Sequence, residues 1–154
     1  MSAGRLVARF AEVAPVPLGL PVGDVESRLG PATRVRTTSD GSRPLGFEYA
    51  DRGVWLAAED GAVSSISFLT GTVDEGGARF TGALPGELRV SDPPERVLEL
   101  YGPPDRIQEI PLPRPPRARM ILSFWDLDDH ASLMVAVRSD RPAHLERLVL
   151  TRRP

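Results

Sequence analysis

The chain has no cysteine, no lysine and no long apolar run. Without cysteine there are no disulfides, no thiolate nucleophile and no thiolate metal site. Without lysine, all 19 basic side chains are arginine, and they face 21 acidic ones for a formal net charge of −2. A balance this even supplies no electrostatic drive toward nucleic acid or an anionic membrane, so neither is expected as a partner. No stretch approaches the 18 or so apolar residues that a spanning helix needs, and Arg9 and Glu12 interrupt the N-terminal apolar segment where a secretory signal would need continuity. The expectation is a soluble, cytoplasmic protein. Recognisable reaction motifs are missing too: there is no Gly-x-Ser-x-Gly, phosphate loop, dinucleotide fingerprint or His-Glu-x-x-His. The reading is therefore of a non-enzyme without cofactor. The lysine-free, arginine-, alanine- and proline-rich usage resembles a high-GC bacterial gene.

What is present is a paragraph written twice. The stretch from Leu18 to Pro31 reappears 72 residues on, from Val90 to Pro103. Each copy carries proline near a helix start, an apolar centre at Val25 or Val97, and a Gly-Pro stop, Gly30-Pro31 or Gly102-Pro103. The spacing predicts helices over Pro21 to Leu29 and Pro93 to Tyr101, the second capped by Asp92 with Glu95 closing a capping box. Strand-like segments follow each helix. They run roughly over 33–38, 45–50, 54–58 and 62–69, then 107–110, 119–125, 133–138 and 144–150, with Asp/Gly clusters marking tight turns. Leu6 to Val13, bounded by Gly4 and Pro15, reads as a short strand or an irregular lead-in. The fold class is α+β: two tandem repeats, 1–70 and 71–154, each a short helix on an antiparallel β-meander, packed as one compact unit. Val63-x-x-Ile66-x-Phe68 in the first is answered by Leu145-x-x-Leu148-x-Leu150 in the second, and Phe47-Glu48-Tyr49 is matched with Phe124-Trp125-Asp126.

Period-two alternation sorts the strand residues between faces. In the first repeat it assigns Phe47, Tyr49, Val54 and Leu56 to the core. In the second it assigns Leu133, Val135 and Val137 to the core, together with Met120, Leu122 and Phe124 as the more uniformly apolar set. Trp55, Trp125 and Met134 then fall on an uncovered sheet face, available to a partner.

Three polar features remain. Asp126-Leu127-Asp128-Asp129-His130 has four ligand-type residues in five, yet matches no calcium loop, and its position at a hairpin favours a solvated turn over a metal site. Neither histidine, His130 nor His144, has a serine in a nucleophile context. The proline-rich segment 111–117 resembles a polyproline ligand, but it reads best as a stiff connector between two strands.

The second repeat, from Phe80 through Glu95-Arg96-Val97-Leu98-Glu99-Leu100-Tyr101-Gly102-Pro103 to Ser123-Phe124-Trp125-Asp126 and Leu133-Met134-Val135, resembles bacterial immunity-type proteins of polymorphic toxin systems. The plan of a short helix ending in Leu-Gly-x-Pro before a meander is also similar to the beta-lactamase-inhibitor protein and to small outer-membrane-assembly lipoproteins. The missing lipidation cysteine and leader speak against the last branch, and the proline-rich insertion is outside the shared pattern. The resemblance implies inhibition of a protein partner, a cognate toxin or enzyme, by steric blockade. Trp55, Trp125 and Met134 would be its apolar anchors, and Asp126, Asp128 and Asp129 a charged rim for a basic partner. The protein would be a monomer or small homo-oligomer. A self-associating structural module is the alternative expectation, and a metal-dependent enzyme using Asp126, Asp128 and His130 a third.

Overall fold

The computed structural model describes residues 18–69, 80, 88–89, 92–111, 119–127, 131–139 and 144–152. The segment 6–13, Asp128 to His130 and the proline-rich residues 112–117 lie outside these. A 3-10 turn over Val22–Asp24 runs into helix α1, Val25–Leu29, and strands β1 to β4 follow: Arg34–Thr37, Pro44–Tyr49, Val54–Glu59 and Ala62–Leu69. Helix α2, Glu95–Tyr101, precedes β5 to β8: Arg106–Pro111, Arg119–Asp126, Ala131–Arg138 and His144–Arg152. All eight strands form one antiparallel sheet in the order β1-β2-β3-β4-β8-β7-β6-β5. Each run of four is a meander, and the two join where β4 pairs with β8.

Short helices survive here because their stops are built in and their apolar sides are buried. Gly30 and Gly102 adopt φ of 83° and 79°, a left-handed geometry that favours glycine, and each donates its N–H back to the helix, to the carbonyls of Glu26 and Leu98. Val25, Val97 and Tyr101 are buried against the sheet. The start of α2 departs from expectation. Pro94 occupies the cap position with no side-chain cap bond, and the Asp92 carboxylate accepts the Arg89 N–H at 2.9 Å instead. The upstream turn captures the acid before the helix can use it.

The core lies on the helix-bearing face. Reading across the sheet, Phe47, Leu56, Ile66, Leu150, Leu133 and Trp125 stand in register, and Tyr49, Val54, Phe68, Leu148 and Val135 form the next row. All eleven are buried. The first-repeat face assignment therefore holds, as does that of Leu133 and Val135, with Val137 packed partly buried against them.

The assignment in β6 is reversed. Trp125 sits directly opposite Leu133 and is only 5 % exposed, so Ile121, Ser123 and Trp125 face the core while Met120, Leu122 and Phe124 face away. Trp125 is thus a core residue and not a surface anchor. Directly paired residues share a face, so one misplaced step in matching two strands moves every side chain across the sheet.

The two helix-to-sheet junctions are built alike. The Tyr49 hydroxyl donates to the Gly30 carbonyl at 3.0 Å, and the Trp125 indole N–H donates to the Gly102 carbonyl at 3.3 Å. Thr33 N–H bonds the Glu48 carbonyl and Asp105 N–H the Phe124 carbonyl, both at 2.8 Å. The Thr33 hydroxyl accepts from Ala50 N–H, and the Asp105 carboxylate accepts from Asp126 N–H. By this geometry Tyr49 corresponds to Trp125, so Phe47-Glu48-Tyr49 matches Ser123-Phe124-Trp125, one residue earlier than the sequence suggests. Burial pushes the Tyr49 phenol up, Glu26 adds to the effect, and Arg52 opposes it.

Candidate functional site: the sheet face opposite the helices

The face turned away from both helices is built by the residues between the core positions. One row crosses all eight strands in register: Arg34, Glu48, Trp55, Ser67, Val149, Met134, Phe124 and Arg106. Beside it on one side run Arg36, Gly46, Ala57, Ser65, Thr151, Ser132 and Asp126, and on the other Leu69, Arg147, Ala136, Leu122 and Gln108. Trp55, Met134, Phe124, Leu122 and Val149 are half-buried. Strands lie ~4.8 Å apart and advance ~3.4 Å per residue, so the face measures about 34 by 20 Å. An area near 700 Å² approaches the ~800 Å² that one partner contributes to an ordinary protein–protein interface, and it is far broader than a small-molecule cleft.

Arginines organise this face. The Arg106 guanidinium carbon lies 4.2 Å from the Phe124 ring centroid, and that of Arg147 lies 5.5 Å from the Trp55 centroid. Such stacking contributes ~0.5–1 kcal/mol at exposed sites and holds the guanidinium flat over the ring. Arg36 reaches Glu48 at 3.4 Å and lies over Gly46, where an added Cβ would meet the Leu56 carbonyl oxygen at 3.1 Å and the Arg36 guanidinium at 3.3 Å. The glycine thus lets the long side chain lie flat on the strand.

Of the residues singled out from sequence, the structure brings Trp55 and Met134 onto this face, three strands apart on either side of the central Ser67–Val149 pair. Trp125 is in the core, where its ring meets Tyr101 edge-on at 5.9 Å. Asp126 is exposed at the end of β6, while Asp128 and Asp129 lie outside the described residues. Sequence reasoning missed Arg106, Arg147 and Phe124. A signal for Arg147 was present: it immediately precedes Leu148, a core position, so alternation sends it to the opposite face with Trp55. Among the described residues no group of three or more His, Asp or Glu is arranged to hold a metal ion, and no helix is long and apolar enough to cross a membrane. No protein-family model, curated protein or solved structure matches the chain.

Proposed function

We propose that this chain is a non-enzymatic protein-binding module, an immunity or inhibitor protein acting in the bacterial cytoplasm, that blocks a cognate toxin or enzyme by laying its helix-free sheet face on it. The observation that carries the reading is the breadth and composition of that face: a protein-sized surface whose longest row carries Trp55, Met134 and Phe124 and ends in Arg34 and Arg106. Aromatic side chains in such a setting are the groups that concentrate binding energy in protein interfaces. The module is a duplication of one helix-plus-meander unit. The paired junction hydrogen bonds support this, as do the bulges at equivalent places in β4 and β8.

The test is affinity capture from the native bacterium, followed by titration of the purified partner against wild type and Trp55→Ala. Loss of ~2 kcal/mol or more of binding, about a thirtyfold change, is expected for an anchor residue. Unchanged affinity of Trp55→Ala, with Leu98→Ala on the exposed side of α2 abolishing the complex, would move the interface to the other side of the molecule.

One observation favours the self-associating reading. Edge strand β5 exposes Ile107 to 60 % and Ile110 to 39 %, beside an unpaired backbone edge that can template another strand. Sedimentation equilibrium separates the two: a monomer at micromolar concentration fits the inhibitor, and concentration-dependent assembly abolished by Ile107→Lys fits the assembly module.

A further inference from the structure

From the charge and stacking on this face we infer that its occupant is a carboxylate-rich protein surface, the opposite sign to the basic partner that the acidic turn alone suggests. The inference rests on the docking function proposed above and names the chemistry of the partner. By register and bulge position, five arginines share the described part of the face, Arg34, Arg36, Arg106, Arg138 and Arg147, against four carboxylates, Glu48, Glu59, Asp126 and Glu146. The described face thus carries a small positive excess on a chain whose formal net charge is −2, and what distinguishes it is how its arginines are held. Among the described residues, Arg34, Arg106 and Arg147 have no carboxylate within ion-pair distance. Arg106 and Arg147 instead rest on Phe124 and Trp55, which orients their planar donors before a partner arrives. A pre-oriented guanidinium recognises carboxylate bidentately at reduced entropic cost.

The same stacking argues against single-stranded nucleic acid. Base binding on a sheet stacks successive bases on neighbouring rings, whereas the Trp55 and Phe124 rings stand four strands apart, each occupied by a guanidinium. Neighbouring apolar groups, Met134, Leu122 and Val149, add non-polar contact suited to a folded protein surface.

The experiment is titration of the isotope-labelled chain with poly-L-glutamate, poly-L-lysine and oligo-dT, following the two indole N–H signals. Poly-L-glutamate is expected to shift the Trp55 indole and leave the Trp125 indole still, with an affinity that falls as added salt shortens the screening length to ~10 Å at 0.1 M. Arg106→Gln combined with Arg147→Gln is expected to weaken this binding about tenfold, a few-fold for each exposed charge. Both positions lie on the sheet surface, and an unchanged unfolding midpoint verifies the fold of the variant. Four results overturn the inference: no binding of poly-L-glutamate, preference for poly-L-lysine, tighter binding of oligo-dT, or indifference to the double substitution. A natural partner that is lost with Trp55→Ala and kept by the arginine double variant also sinks it, while leaving the docking function standing.

Discussion

Replacing Trp125 with alanine tests the architecture at its most consequential point, because the sequence pattern sends this side chain to the surface and the structure buries it. The indole is 5 % exposed, donates to the Gly102 carbonyl at 3.3 Å and packs edge-on to Tyr101. Truncating a buried tryptophan costs ~3–5 kcal/mol through lost transfer energy and the cavity left behind. About 1 kcal/mol of that belongs to the hydrogen bond that pins the end of α2 to β6. A domain of this size is stable by only ~5–15 kcal/mol, so Trp125→Ala should remove a third or more of its stability over most of that range. Trp125→Phe keeps most of the ring and loses the N–H, and should cost ~1–2 kcal/mol, which urea denaturation measures safely. Trp55→Ala, half-buried on the opposite face, should cost ~1 kcal/mol or less. If the two alanine variants have unfolding free energies that agree within ~0.5 kcal/mol, the assignment of Trp125 to the core is wrong and the register of β6 against β7 with it.

The two tryptophans are the only ones in the chain, so single-tryptophan variants report each face: Trp55→Phe should leave a blue-shifted emission resistant to acrylamide, and Trp125→Phe a red-shifted one that acrylamide quenches. Gly102→Ala should destabilise by ~1 kcal/mol in thermal unfolding, because its Cβ meets nothing within 4 Å yet φ is 79°, whereas Gly23→Ala, with equal space and no positive φ, should be neutral or mildly stabilising. Hydrogen bonds from Thr38, then from the Ser42 backbone and hydroxyl, lower the Asp40 pKa to about 2. The lowered value means that the β1–β2 turn is supported above the unfolded pKa of ~3.9 and loses that support as pH falls through about 2; Asp40→Ala should remove this acid sensitivity from the turn amides in an NMR titration.

Much of the fold was legible because punctuation in this chain is chemical. Gly30-Pro31 and Gly102-Pro103 stop their helices as expected, and Asp60 with φ of 53° beside Gly61 with φ of 77° makes the tight β3–β4 hairpin that the Asp-Gly pair announces. The face of β6 was not legible from composition. Met120, Leu122 and Phe124 outnumber Ile121, Ser123 and Trp125 in apolar character, yet Ser123 is tolerated toward the helices because it lies near the margin of the core, and Phe124 is tolerated outward because Arg106 covers it. Counting apolar residues compares two faces of one strand, whereas the core is decided by what stands opposite, and Leu133 opposite Trp125 decides it. The arginine content of the open face was hidden for the same reason. Arg34, Arg106 and Arg147 are far apart in sequence and come onto one face, at its two edges and near its middle, only when all eight strands are in register.

The spacing that looked least regular proves the most informative. Strict alternation cannot bury Val63, Ile66 and Phe68 together, since Val63 and Ile66 differ in parity, and the same holds for Leu145, Leu148 and Leu150. Both triplets are nevertheless buried. An extra residue in each strand reconciles them: Ala57 pairs with Ser65 and Ala58 with Val63, passing over Ser64, while Ala136 pairs with Arg147 and Val137 with Leu145, passing over Glu146. A bulge restores the core side chain to its face and sharpens the local twist. It also turns two consecutive residues outward, Ser64 with Ser65 and Glu146 with Arg147. Arg147 reaches the ring of Trp55 by simple alternation with Leu148, and what the bulge adds is an outward Glu146 beside it, so deleting Glu146 should regularise the strand, keep Leu145 in the core and Arg147 on Trp55, and leave the unfolding midpoint close to that of the wild type.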